Sequence, residues 1–146
     1  VADALEASGL PADALVIELT ERSVVRNIPF AVEMLSRLGD LGVRIGIDDF
    51  GVGHSALGYL NRLPVHKIKL DRSFVEGLPT DADSAAIVRN LIRMASDLDL
   101  TVLAEGVETA EQAEWLRAAG CDYAQGYWIA RPMRPEQAEA FLRERA

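Results

Sequence analysis

A parallel β-sheet with helical crossovers is the architecture that this sequence predicts. Short runs rich in β-branched and aliphatic residues alternate with longer amphipathic stretches along the whole chain. The runs are punctuated by Gly, Pro and capping residues, and no linker or low-complexity tract separates them. Strand-then-helix repetition of this kind buries a parallel sheet under helices. Two arrangements fit: a doubly wound sheet, or part of a (β/α)8 barrel. A full barrel takes about 250 residues, so 146 residues leave room for roughly five or six of its eight units.

The elements follow in order. Residues 2–7 form a partial helix, and residues 15–20 are a short apolar run of strand type. Residues 27–41 show helical spacing, with Phe30, Met34, Leu35, Leu38 and Leu41 on one side and Gly42 as the stop. Residues 43–48 make the second strand, and 55–63 a short helix closed by Pro64. Residues 67–71 make the third strand. Residues 81–98 form an amphipathic helix with Ile87, Leu91, Met94, Ala95 and Leu98 aligned. Residues 101–105 are a strand, and Thr109 caps a helix to Ala119 with Gln112 at its third position. Residues 122–126 are a short fifth strand, and Pro135 opens a last helix over 136–145. The whole of 1–146 reads as one domain.

Composition narrows the class. Apolar residues make up 49% and charged residues 26%, the profile of a globular protein with a core. No run approaches the roughly 18 apolar residues of a membrane span, and no basic-then-apolar leader opens the chain. Cys121 is the single cysteine, so no internal disulfide forms, which fits a reducing cytoplasm. A net charge of −8 argues against a nucleic-acid polymer as partner. It does not argue against a small phosphate ester held through metal ions.

Chemistry gathers at the C-terminal ends of the strands. The first carries Glu18 and is followed by Glu21; the second ends in Asp48-Asp49; the third carries Lys69 and Asp71; the fourth ends in Glu105, with Glu108 beyond; the fifth ends in Gln125. In a barrel these ends open on one face. Singly, each acidic residue is explained as a helix cap or a solvated loop residue. Together they repel unless a cation neutralises them, and an oxygen-rich set suits Mg²⁺ or Mn²⁺. The spacing points to a metal-dependent phosphoesterase or lyase. Asp49-Phe-Gly occurs without the other kinase motifs, and Gly51-Val-Gly-His-Ser lacks the lysine of a P-loop.

Glu18-Leu-Thr-Glu, Asp48-Asp-Phe-Gly-Val-Gly, Lys69-Leu-Asp-Arg-Ser-Phe-Val, Ala104-Glu-Gly-Val-Glu-Thr and Gln125-Gly-Tyr occur in this order, with an Arg-Pro pair after the last. Together they resemble the last three-fifths of an EAL domain, the family of cyclic-di-GMP phosphodiesterases. The resemblance implies an incomplete TIM-type (β/α)8 barrel of about five parallel strands that hydrolyses cyclic-di-GMP to linear pGpG with two Mg²⁺ or Mn²⁺ ions. By position, Glu18, Asp48 and Asp49 resemble metal ligands, and Lys69 the lysine at the attacking water or phosphate. Glu105 resembles the general base or a second-metal ligand. Glu108, Gln125 and Asp71 resemble supporting pocket residues, and Glu21 the anchor of the loop after Asp49. The family also implies a homodimer and an attached sensory or GGDEF domain upstream, in bacterial signalling.

The Glu-Ala-Leu motif that names the family, with an Asn ligand after it, is expected upstream of this segment; Glu6-Ala7-Ser8 does not match it. Val52 and His54 depart from the usual loop residues, a small or hydroxyl side chain and Tyr. The alternative is a degenerate EAL domain that senses cyclic-di-GMP or docks a partner, and the isolated fragment is expected to be inactive. His54 and His66 read as loop residues, Cys121 and Trp115 as packing. Trp128 is a candidate for stacking on guanine, and Arg131 for contacting phosphate or base.

Overall fold

The computed structural model describes residues 1–52 and 57–145, Leu57 by its backbone only. Its elements are α1 (Ala2–Ser8), a 3-10 turn (Ala12–Ala14), β1 (Val16–Thr20), α2 (Glu21–Val25), α3 (Ile28–Asp40), β2 (Arg44–Phe50), α4 (Leu57–Leu60), β3 (Lys67–Leu70), α5 (Arg72–Val75), α6 (Ala82–Asp97), β4 (Thr101–Ala104), α7 (Ala110–Ala118), β5 (Tyr123–Ala124) and α8 (Pro135–Arg143). His54 and the start of the expected 55–63 helix lie outside the described residues.

The five strands form one parallel sheet in the order β1-β2-β3-β4-β5. Each new strand is added on the same side of the last. A doubly wound sheet would reverse direction at a switch point; this one has none, so the succession is that of a barrel arc. All strand ends that carry chemistry therefore face one way.

The core lies between strands and helices. Ile45, Ile47, Ile68, Leu70, Val102 and Ala104 from the sheet meet Leu35, Val88, Ile92, Ala95 and Leu116 from the helices. The buried stripe of α6 runs Ala85, Val88, Ile92, Ala95, while Ile87 and Leu98 are exposed. This shifts the face expected from sequence, because small and β-branched residues sit closest to the sheet. On α3, Leu35 is buried and Leu38 packs against the core, but Phe30, Met34 and Leu41 are exposed. The Thr109–Gln112 capping box forms as expected, and the Gln112 amide also donates to the Val75 carbonyl at 3.1 Å. No helix among the described residues is long and apolar enough to cross a membrane.

Candidate active site

Lys69 is the centre of the site. Strand alternation turns it away from its neighbours Ile68 and Leu70, and it is only 8% exposed. Its ammonium lies 2.8 Å from Glu18 Oε2, 3.0 Å from Asp48 Oδ1 and 2.6 Å from Glu105 Oε1. Four consecutive strands thus contribute one charged group each. Burial alone would lower the lysine pKa; the hydrogen bonds to Glu105, Glu18 and Asp48 outweigh it and hold the pKa above the ordinary lysine value. The side chain is a fixed cation at neutral pH.

A bulge shapes the β2 side. Ile47 pairs with Ile68, and the next pair is Phe50 with Leu70. Asp48 and Asp49 therefore stand opposite Lys69 alone, two residues against one. Only Asp48 reaches the lysine. The Asp49 N–H donates to Asp48 Oδ1 at 3.0 Å, and Asp49 adopts a left-handed φ of 54°, a backbone state that is rare outside Gly and marks local strain. Asp49 instead lines an adjoining pocket of about 610 Å³ with Thr20, Glu21, Arg22, Val25, Arg26 and Val52. The expected gathering of carboxylates is thus found for Glu18, Asp48 and Glu105, with Lys69 between them rather than at their edge.

Glu21 is 2% exposed and accepts the Gly51 N–H at 2.9 Å. It ties the start of α2 to the turn after β2. Gly51 has φ of 94°, and a Cβ there would press on the Phe74 ring at 2.9 Å, so the turn needs glycine.

The β4–β5 side is held by a backbone strap. The Val107 N–H donates to the Gln125 carbonyl, and the Trp128 N–H to the Val107 carbonyl, both at 3.1 Å. Gly126 allows this approach, since any Cβ would overlap the Val107 backbone. The strap sets the Gln125 amide to donate to Glu105 Oε1 at 2.9 Å. Glu108 pairs with Arg72 at 3.0 Å, and Arg72 also bonds Glu76 at 2.7 Å. Arg72 did not stand out in the sequence; its place three residues after Lys69 was the available signal.

Asp71 caps α5, accepting the Ser73 N–H at 2.9 Å, and its bonds to Ser73 hold the carboxyl below its usual range. His66 Nδ1 accepts the Ile45 N–H at 3.2 Å, at the opposite end of the strands from Lys69. Cys121 is half-buried, with its thiol donating to the Tyr123 carbonyl at 3.2 Å. Trp115 packs against the core. Trp128 lies in a groove with Ala110, Ala113, Glu114 and Arg117 of α7.

The oxygen donors suit hard divalent cations in kind. In arrangement, no three metal-ligating side chains among the described residues are grouped to hold an ion; Glu18, Asp48 and Glu105 are instead drawn onto Lys69.

A one-way parallel arc with charged groups from four strand ends in one cluster defines a β/α-barrel protein whose active face is the carboxyl end of its strands. The EAL domain family model matches residues 1–132, and the chain belongs to that family. It is 45% identical over 98% of its length to the cyclic di-GMP phosphodiesterase NbdA of Pseudomonas aeruginosa, of which it spans 18%. Its fold superposes on the PaMucR phosphodiesterase in complex with c-di-GMP with a TM-score of 0.90 and 42% identity, covering 94% of this chain and 56% of that one. The manganese/cy-diGMP complex of Klebsiella pneumoniae BlrP1 at pH 9.0 matches with a TM-score of 0.84 and 39% identity, covering 89% of this chain and 33% of that one. The chain thus spans well under two thirds of its relatives.

Proposed function

We propose that this chain forms the larger part of a phosphodiesterase site that hydrolyses cyclic-di-GMP to linear pGpG. The observation that carries the reading is the meeting of Glu18, Asp48 and Glu105 on Lys69. Glu18, Asp48, Asp49 and Glu105 would hold Mg²⁺ or Mn²⁺, as two ions. Such ions lower the pKa of bound water and neutralise charge on a phosphodiester.

The protein groups divide the remaining work. Lys69, as a permanent cation, cannot take a proton; it orients the attacking water and offsets the charge that grows on phosphorus. Glu105, fixed by Gln125 and Lys69, is the group set to accept the proton of that water. Glu21 holds the loop after Asp49 in place. Glu108 and Asp71 support the mouth of the pocket.

The relatives' length supports a further sensory or GGDEF domain in the whole protein, for which the family resemblance suggests a homodimer; Cys121, as the lone cysteine, supports a cytoplasmic setting. The test is chromatographic: full-length protein with Mn²⁺ should convert cyclic-di-GMP to pGpG. Binding without conversion would identify a sensor instead.

A further inference from the structure

The one-turn helix α5 begins three residues after Lys69 and packs against the turn that follows Glu105. Three contacts join them. The stem of Arg72 lies directly over Gly106: a Cβ at that glycine would stand 2.5 Å from Arg72 Cγ. One guanidinium nitrogen of Arg72 reaches Glu108 at 3.0 Å, while its Nε donates to Glu76 at 2.7 Å. The Val75 carbonyl accepts from the Gln112 amide at 3.1 Å, and Gln112 Oε1 in turn accepts the Glu108 N–H at 2.8 Å. On the near side of the turn, the Glu105 N–H donates to the Leu70 carbonyl at 3.1 Å. The segment that carries Lys69 therefore grips the segment that carries Glu105 before and after the turn.

We propose that Arg72 is a positioning residue for hydrolysis: its stem and guanidinium fix the 105–108 turn and so hold the Glu105 carboxylate against Lys69 and Gln125; this rests on the phosphodiesterase reading above. The Arg72 side chain is 55% exposed, and exposed ion pairs add little to folding stability, because solvent screens them and two long side chains lose freedom. What the clamp sets is geometry. A reacting group displaced by an ångström loses much of its rate even when the protein stays folded. Lysine could not reproduce the clamp, since a compact ammonium does not offer the two separate nitrogens with which Arg72 meets Glu76 and Glu108.

The experiment compares wild type, Arg72→Met and Arg72→Lys in the full-length protein, with cyclic-di-GMP and Mn²⁺. Arg72→Met keeps much of the stem and removes both ion pairs. Its kcat should fall at least about tenfold, with KM within about twofold of wild type and the melting temperature within about 3 °C. Arg72→Lys keeps the charge and should recover part of the kcat. Hydrogen exchange, followed by mass spectrometry without substrate, supplies a readout independent of turnover. In Arg72→Met the amides of residues 105–108 should exchange faster, while those of β1 and β2 keep their wild-type rates. Unchanged kcat in Arg72→Met, or faster exchange across the whole chain with a matching drop in melting temperature, would overturn the positioning role. If wild type hydrolyses nothing, the phosphodiesterase reading fails on its own, and the exchange of residues 105–108 alone decides whether Arg72 holds the turn.

Discussion

Lys69 Nζ lies 2.6 Å from Glu105 Oε1, which makes the end of β3 and the residue after β4 a single charged unit. Glu18 and Asp48 extend the unit to four strands. One ammonium thus restrains three carboxylates, and its removal exposes their mutual repulsion.

Lys69→Met is expected to lower kcat by about 10²-fold or more, in line with the loss of one transition-state electrostatic contact. Affinity for cyclic-di-GMP should weaken far less. Measuring kcat, affinity and melting temperature on one preparation decides the matter. Near-normal kcat in a destabilised protein would reduce Lys69 to a structural role.

Chelation tests the metal reading. Excess EDTA should abolish turnover by the full-length protein, and Mg²⁺ or Mn²⁺ should restore it. Ca²⁺ should not, because it prefers longer bonds and looser geometry. Full turnover in EDTA would rule out the assignment.

Gly126→Ala should act at a distance. The new methyl group would overlap the Val107 backbone, so the strap must move and Gln125 must leave Glu105. A fall in both melting temperature and kcat is expected, larger than for Gly58→Ala, where an added Cβ would meet no atom of the described residues beyond its own helical turn within 4 Å. Equal, small effects at both positions would contradict the strap.

Glu21→Ala removes the acceptor of the Gly51 N–H. Leaving that partly buried donor unpaired costs about 1–3 kcal/mol. Glu21→Gln keeps an acceptor oxygen and should recover part of the loss. Denaturant midpoints for the two variants give the comparison; identical midpoints would show that the anchor is not this hydrogen bond.

Asp81 caps α6, and its bonds with the Ser84 hydroxyl and N–H hold its carboxyl below the usual range. The folded state therefore favours the ionised form. The resulting stability is present above the ordinary carboxylate pKa and is lost as pH falls through the depressed folded value. Asp81→Ala should accordingly lower the unfolding midpoint at neutral pH, and the gap to wild type should close in acid. A gap that does not change with pH would remove the charge from the argument.

Much of this molecule was legible in its residues. Aliphatic runs and amphipathic stretches mark the five strands and the long helices, because burial on two faces or one stripe is a local pattern. Thr109 and Gln112 announce their capping box, since both partners lie within one turn. The sequence also places a charged residue at the end of each strand from β1 to β4. Periodicity does not say how the strands are ordered, because each pairing joins residues far apart in the chain; the family resemblance implied the barrel, and the consecutive sheet bears it out over the doubly wound alternative. The short helices α2 and α5 escape a periodicity argument, having too few residues to show one. Tertiary structure likewise decided the site's centre. The β2 bulge sends Asp48 to Lys69 and leaves Asp49 in the next pocket, and the Val107 strap sets the Gln125 amide against Glu105. Both outcomes depend on the register between neighbouring strands and loops, a relation that no single segment of sequence contains.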